Sequence, residues 1–328
     1  MGGIADYSGS LLLQMPIRES TIAYIAKRKD GLLRMFSSLA QSEGIKAEVT
    51  IPILNWPSVK NLLDPDFILS LREEADHPWA LYVVGCFITS LSHKKYAFEG
   101  ADVYIQSDIP LGKGVSSSAA LEIAVLSGIN YLYRLKLDKI QLPLLGQQAE
   151  NRVVGAPCGL MDQLSSYLGR ADHLLPIICQ PAKVFGPVPI PEDLQFIGID
   201  SGVKHRVSGR QYSRARTAAF MGYSIILQHL GISREFMENA DTEALPFQGY
   251  LANIEKVQFQ EDFQQLLPVS MPGEEFLRRY GSVIDPVTNI HPEEKYPIRA
   301  CTAHPVFEND RINLFMQDMK QVNKNNEN

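Results

Sequence analysis

PLGKGVSSSAALE, residues 110–122, is the stretch from which the rest of this chain is read. Gly112 and Gly114 let the backbone turn tightly and approach an anion, and Ser116, Ser117 and Ser118 place hydroxyls just before the apolar run Ala119 to Ile129, which has the character of a helix. A helix start leaves its first amides without intrahelical partners and carries the positive end of the helix dipole, so phosphate is a ligand that this stretch suits. The common nucleotide signatures do not fit, because no Gly-Lys-Ser/Thr closes the loop and no third glycine completes a dinucleotide fingerprint. From spacing alone, a serine-capped helix after a glycine turn stands level with a phosphate loop.

Working outward, 328 residues can bury a large core and allow two domains. Hydrophobic content of 45% with 21% charged residues describes a soluble globular protein, and a net charge of -6 without a basic tract gives no reason to expect a nucleic-acid partner. The longest apolar run, Ala80 to Ile88, is shorter than the roughly 18 residues of a membrane span, and the start of the chain lacks a basic-then-apolar signal pattern. No membrane partner is expected, and a cytoplasmic location follows as the default. Cys86, Cys158, Cys179 and Cys301 show no C-x-x-C pairing, which argues against a zinc site and a disulfide scaffold.

Taken in order, residues 20–26, 32–37 and 47–54 alternate as strands of an antiparallel sheet. Trp79 to Leu91 is a helix apolar on nearly every face, hence buried, and Ala101 to Ser107 is the strand that delivers the chain to the loop. A second helix spans 139–152. Pro157 and Gly159 then break the chain, and a helix restarts over 161–168 with Asp162 in its first turn. Strands are expected at 174–179, 184–189 and 194–200, and the longest helix at 208–230. From 243 to 292 the signal weakens to short helices and proline-broken loops, and the polar tail 320–328 reads as disordered. A soft boundary near Pro191 separates a first domain, 1–190, from a second, 191–328.

Glu150 and Asp162 flank the glycine-proline break shortly after the loop. Magnesium needs hard oxygen ligands, so one carboxylate with a loop serine and nucleotide phosphates would make its shell, leaving the other carboxylate to accept a hydroxyl proton. On composition alone, a solvated helix residue and a helix cap remain the stronger alternative for this pair.

The loop resembles P-x-G-x-G-[LV]-x-S-S-A-A of the GHMP kinases, and Glu150 to Gln163, ENRVVGAPCGLMDQ, is similar to the P-C-G-[IL]-M-D-Q stretch of their galactokinase branch. The resemblance implies an α+β, two-domain GHMP kinase fold: a ribosomal protein S5 domain 2-like N-terminal ATP-binding domain, then an α+β, ferredoxin-like C-terminal domain, with the site between them. It implies a sugar 1-kinase using ATP and Mg2+. Asp162 would be catalytic; Pro110, Gly112, Lys113, Gly114, Val115, Ser116, Ser117, Ser118 and Ala119 would bind ATP; Ser118 and Glu150 would bind the metal. Asp6, Tyr7, Gly159, Asp162 and Tyr212 would meet the sugar. His205, in GVKHRV, is given no role, and Cys158 is expected to pack rather than react.

Galactokinases carry Glu-His ahead of the Asp-Tyr pair, where this chain has Gly3-Ile4-Ala5. A site lacking those polar groups suits L-arabinose, which lacks galactose's hydroxymethyl group, so the resemblance points to the arabinose-phosphorylating members. Galactose, galacturonate with Arg18 as the cation, and a sugar and ATP sensor without turnover are the rivals. The family's Pro-Gly-Arg element upstream of Met1 and its glycine-rich motif near the C-terminus are not found, and the expectation is a kinase domain trimmed at both ends, its second domain incomplete. The similarity extends to His304-Pro305-Val306-Phe307-Glu308-Asn309. Oligomeric state is not legible.

Overall fold

The computed structural model describes residues 1–3, 5–74, 77–156, 158–199, 210–285 and 288–326. In chain order its strands include β1 (Leu11–Gln14), β2 (Thr21–Lys27), β3 (Leu32–Ser37), β4 (Glu48–Pro52), β5 (Ala101–Ser107), β6 (His173–Ile178), β7 (Lys183–Val184) and β8 (Val188–Pro189). The helices that position the site are α1 (Pro78–His93), α2 (Ser117–Tyr133), α3 (Gln141–Gln148), α4 (Met161–Leu168), α5 (Arg210–His229) and α6 (Ile298–Asn326). Contacts divide the chain into two compact units: residues 15–171 with 196–207, and residues 1–14 with 172–195 and 208–328.

In the unit built on residues 15–171, the sheet order is β2-β5-β3-β4, with β5 antiparallel to β2 and parallel to β3. Side chains alternate across a strand, so Leu33, Met35, Val49, Ile51, Val103 and Ile105 fall on one face and are buried. α1 supplies the cover. It begins on Pro78 at a position where the missing N–H costs nothing, and its residues Ala80 to Leu91 bury around almost the whole circumference, apart from Tyr82. α2 adds Val125, Leu126 and Ile129 to the same core. The other sheet face stays open, with Ile22, Tyr24 and Tyr104 exposed and Phe36 stacked on Tyr104 at 5.4 Å.

In the other unit β1 pairs antiparallel with β6, Leu11 opposite Ile178, 167 residues further along the chain. Leu13, Leu174 and Val188 pack there with Ile312, Met316 and Met319 of α6. A larger core gathers Tyr7 with Ala219, Tyr223 and Ile226 of α5 and with Phe259, Phe263 and Phe276.

Four expectations are corrected here. Residues 194–199 form no strand: Ile197 and Ile199 are largely exposed, and strand-forming side chains without a neighbouring strand do not make a sheet. The tail is helical to Asn326, and α6, at 29 residues, exceeds the 20 of α5. Its apolar stripe, Ile312, Met316 and Met319, is thin, so composition reads as polar, and Pro305 inside the helix marks a break that packing overrides. The helix expected over 139–152 is α3 followed by a π-helical turn, Ala149–Val154.

Candidate active site

The loop between β5 and α2 is held open by its backbone. Gly112 (φ 69°) and Gly114 (φ 72°) are left-handed, as is Ser116 (φ 58°) at the helix start, an uncommon state for a residue with a side chain. The Ser116 hydroxyl makes no cap to α2. Pro110, Lys113, Gly114 and Val115 are exposed, Gly112, Ser116, Ser117 and Ser118 are half-buried, and Ala119 is buried in the core. The exposed turn thus leads directly into the half-buried serines at the start of a 17-residue helix.

Beside the loop lies a small pocket of about 50 Å³ lined in part by Leu39, Ile45, Trp79, Leu111, Ser117 and Leu121. The Trp79 indole donates to the Lys46 carbonyl at 2.8 Å, which fixes the ring. Flat apolar walls next to a phosphate-type loop suit an aromatic base. Sequence reading named Ser117 but missed Leu39, Ile45 and Trp79, which lie far from the loop in sequence and carry no local motif.

Glu150 sits in the π-helical turn, 3% exposed. Such turns widen a helix by one residue and re-aim a side chain. This one is anchored by Arg72, whose guanidinium donates to the carbonyls of Val153 (2.8 Å) and Arg152 (3.1 Å), while Gly155 (φ 85°) ends it. Glu150 accepts from the Cys158 thiol, from Ser118 and, at 3.0 Å, from Gln163. Burial raises its carboxyl above the usual range, and those three hydrogen bonds partly offset the rise. Burial also pushes the Cys158 thiol up, which disfavours the thiolate. Cys158 is held in turn by Asn151, whose side-chain oxygen accepts its backbone N–H at 2.8 Å, and Gly159 follows, half-buried. Asp162 is half-buried in the first turn of α4, near enough for its charge to bear on both Glu150 and Glu122.

As a magnesium site, the Glu150 carboxylate and Ser118 hydroxyl fit, since both are hard oxygen donors already in contact. Among the described residues no three His, Cys, Asp or Glu side chains gather into a cage, so phosphate oxygens would have to complete a shell there.

The second group of expected residues lies in the other compact unit. Tyr212, early in α5, donates its hydroxyl to both oxygens of Asp6, at 3.2 and 3.3 Å, and Asp6 is 6% exposed. Tyr7 is buried edge-on to Tyr212, ring centroids 6.3 Å apart, with the Arg216 guanidinium 5.7 Å over its ring. Arg216 is itself clamped by both oxygens of Asp285 at 2.9 Å. Burial pushes both tyrosine hydroxyls up, with the Asp6 charge adding to the effect, so they stay protonated donors. The turn that carries Asp6 is fastened by the 304–309 segment: Glu308 accepts the Gly2 N–H (3.0 Å), Asn309 accepts that of Leu11 (3.0 Å), and the His304 ring meets the Gly3 carbonyl (3.2 Å). Ile4 and His205 lie outside the described residues.

Loop, pocket, Glu150 and Asp162 thus lie on one unit, and the Asp6–Tyr212 pair on the other. Residues 82–170 match the family "GHMP kinases N terminal domain". The chain is 35% identical over 353 aligned residues to the L-arabinokinase of Arabidopsis thaliana, covering 96% of this chain and 34% of that protein. It is 32% identical over 231 residues to the galactokinase of Chloroflexus aggregans (strain MD-66 / DSM 9485), covering 70% and 54%. The crystal structure of Lactococcus lactis galactokinase complexed with galactose superposes with a TM-score of 0.65 at 17% identity, over 98% of this chain and 68% of that one. Residues 82–170 thus match the N-terminal domain of the GHMP kinases, the chain is similar to an L-arabinokinase and a galactokinase, and its fold is that of the Lactococcus lactis galactokinase. It spans about a third and about half of the length of the two curated relatives.

Proposed function

We propose that the protein is an ATP-dependent sugar kinase that phosphorylates the anomeric hydroxyl of L-arabinose. The observation that carries the kinase reading is the Ser118–Glu150 contact at the start of the helix that the phosphate-type loop opens. Loop amides and hydroxyls from Gly112 to Ala119 hold the phosphates, and the apolar pocket beside Trp79 takes the base. Magnesium, held by Ser118 and Glu150, neutralises charge on the phosphates when bound. Asp6 accepts from sugar hydroxyls while Tyr212 keeps its carboxylate aimed. As the sugar oxygen bonds to the γ-phosphorus and the bond to the ADP oxygen breaks, the hydroxyl proton passes to Asp162.

Arabinose is favoured by Gly3, which offers no side chain ahead of the Asp-Tyr pair and where an added Cβ would meet nothing within 4 Å. The 35% identity to an L-arabinokinase supports the same sugar. Sugar-dependent ADP release with L-arabinose, D-galactose and D-galacturonate tests it. A preference for arabinose in kcat/KM of about 10- to 200-fold is expected, and a preference for galactose or galacturonate reassigns the sugar. Asp162→Asn should cut turnover by about 10²- to 10⁴-fold while sugar still binds. Binding of ATP and sugar without any ADP release would mark a sensor instead.

A further inference from the structure

α2 offers two side chains to one buried cluster. Ser118 and Glu122 are one helical turn apart and share a face. Ser118 donates to Glu150, while Glu122 accepts from the Gln163 side-chain nitrogen at 3.0 Å, and that same nitrogen donates to Glu150, also at 3.0 Å. The four groups close a circuit in which Gln163 is the bridge and Glu122 its far abutment. Glu122 is 0% exposed and Gln163 1%. Packing leaves the pair little slack, since a Cβ on Gly146 would lie 3.2 Å from the Gln163 side chain and 3.3 Å from Glu122 Oε2. Among the described residues Glu122 Oε1 and Gln163 Oε1 are buried without a hydrogen-bond partner. Burying polar oxygens in that state is unfavourable, and an apolar pair of the same size would avoid it.

We propose that Glu122 is a positioning residue: by holding one amide hydrogen of Gln163 it aims the other at Glu150 and so fixes the Glu150 carboxylate toward Ser118. The inference rests on the reading of Ser118 and Glu150 as the magnesium pair, and Glu122 acts through Gln163 without touching metal or nucleotide. Groups that orient a metal-binding carboxylate from behind are worth about 10- to 100-fold in metal affinity.

The readout is the gain in ATP affinity on adding magnesium, measured by calorimetry on the full chain. Glu122→Met and Gln163→Met keep the volume and remove the bridge; each should lose about 10- to 100-fold of that gain, with ATP affinity in the absence of magnesium unchanged. Glu122→Gln still offers an oxygen to Gln163 and should keep most of it. A folded Glu122→Met that keeps the whole gain overturns the proposal; should that variant fail to fold, an undiminished gain in Gln163→Met overturns it equally. Glu150→Gln separates the two readings. If it keeps the gain, the magnesium pair is wrong and the proposal falls with it; if it loses the gain while both methionine variants keep it, only the role of Glu122 is lost.

Discussion

Tyr212 donates to both oxygens of a nearly buried Asp6, so the carboxylate is aimed before any sugar arrives. Tyr212→Phe removes that donor and keeps the ring that packs on Tyr7. Sugar KM should rise by about tenfold, the scale of one hydrogen bond to a charged group, with a smaller change in kcat. Steady-state kinetics at saturating ATP check it, and an unchanged KM would take Asp6 out of the sugar site. Glu122 gives a second effect at this scale. Burial first, and the Glu150 charge second, raise its carboxyl well above the usual range, so the native state keeps a proton that the unfolded chain has released. The stability linked to that proton is therefore complete below the ordinary glutamate pKa of about 4.3 and is lost as pH rises above it. Urea midpoints should fall as pH rises above that value, and Glu122→Gln, which carries no such proton, should show a flatter profile. Equal slopes in the two proteins would show that Glu122 releases its proton at an ordinary pH.

Two elements carry more than their sequences show. The π-helical turn Ala149–Val154 holds Glu150, and its end depends on Gly155, where φ is 85° and a Cβ would sit 2.7 Å from Arg72 Nη2. Gly155→Ala should push Arg72 off the carbonyls of Arg152 and Val153, and the left-handed conformation alone costs about 1 to 2 kcal/mol with a side chain present. Chemical denaturation should register at least that loss. A variant as stable as the parent would mean that Arg72 does not depend on the glycine. α6 is the other case: Ile312 is 0% exposed among Leu13, Leu174 and Val188. Ile312→Ala should cost about 2 to 5 kcal/mol, as for a large side chain removed from a core. A loss of a few tenths would suit a frayed tail instead of a packed helix.

At the scale of the molecule, the first strand belongs with what comes last in the chain. β1 pairs with β6, and its turn is fastened by Glu308 and Asn309, so residues 11–14 should open together with 173–178 and 306–319. Native-state hydrogen exchange reads this directly. Amides of Leu12 and Leu13 that exchange in step with β2 and β5, and faster than β6, would contradict the grouping. No helix among the described residues is long and apolar enough to cross a membrane.

What the sequence determined by itself was local. Glycines at 112 and 114 foretell left-handed backbone, periodicity foretells α1 and α4, and the strand Ala101–Ser107 falls where alternation puts it, because each signal is complete within a few residues. Asp162, Glu150 and Ser118 were named from motifs, yet nothing in them places Gln163 between Glu150 and a buried Glu122 that lies 41 residues away. Nor does any short window show that Tyr212 meets Asp6 across 206 residues, that Trp79 walls a pocket beside the loop, or that the polar tail completes α6. Those features were decided by the tertiary structure, since a hydrogen bond between distant residues forms only where packed faces bring them together, and a sparse apolar stripe becomes a helix only when a core is there to receive it.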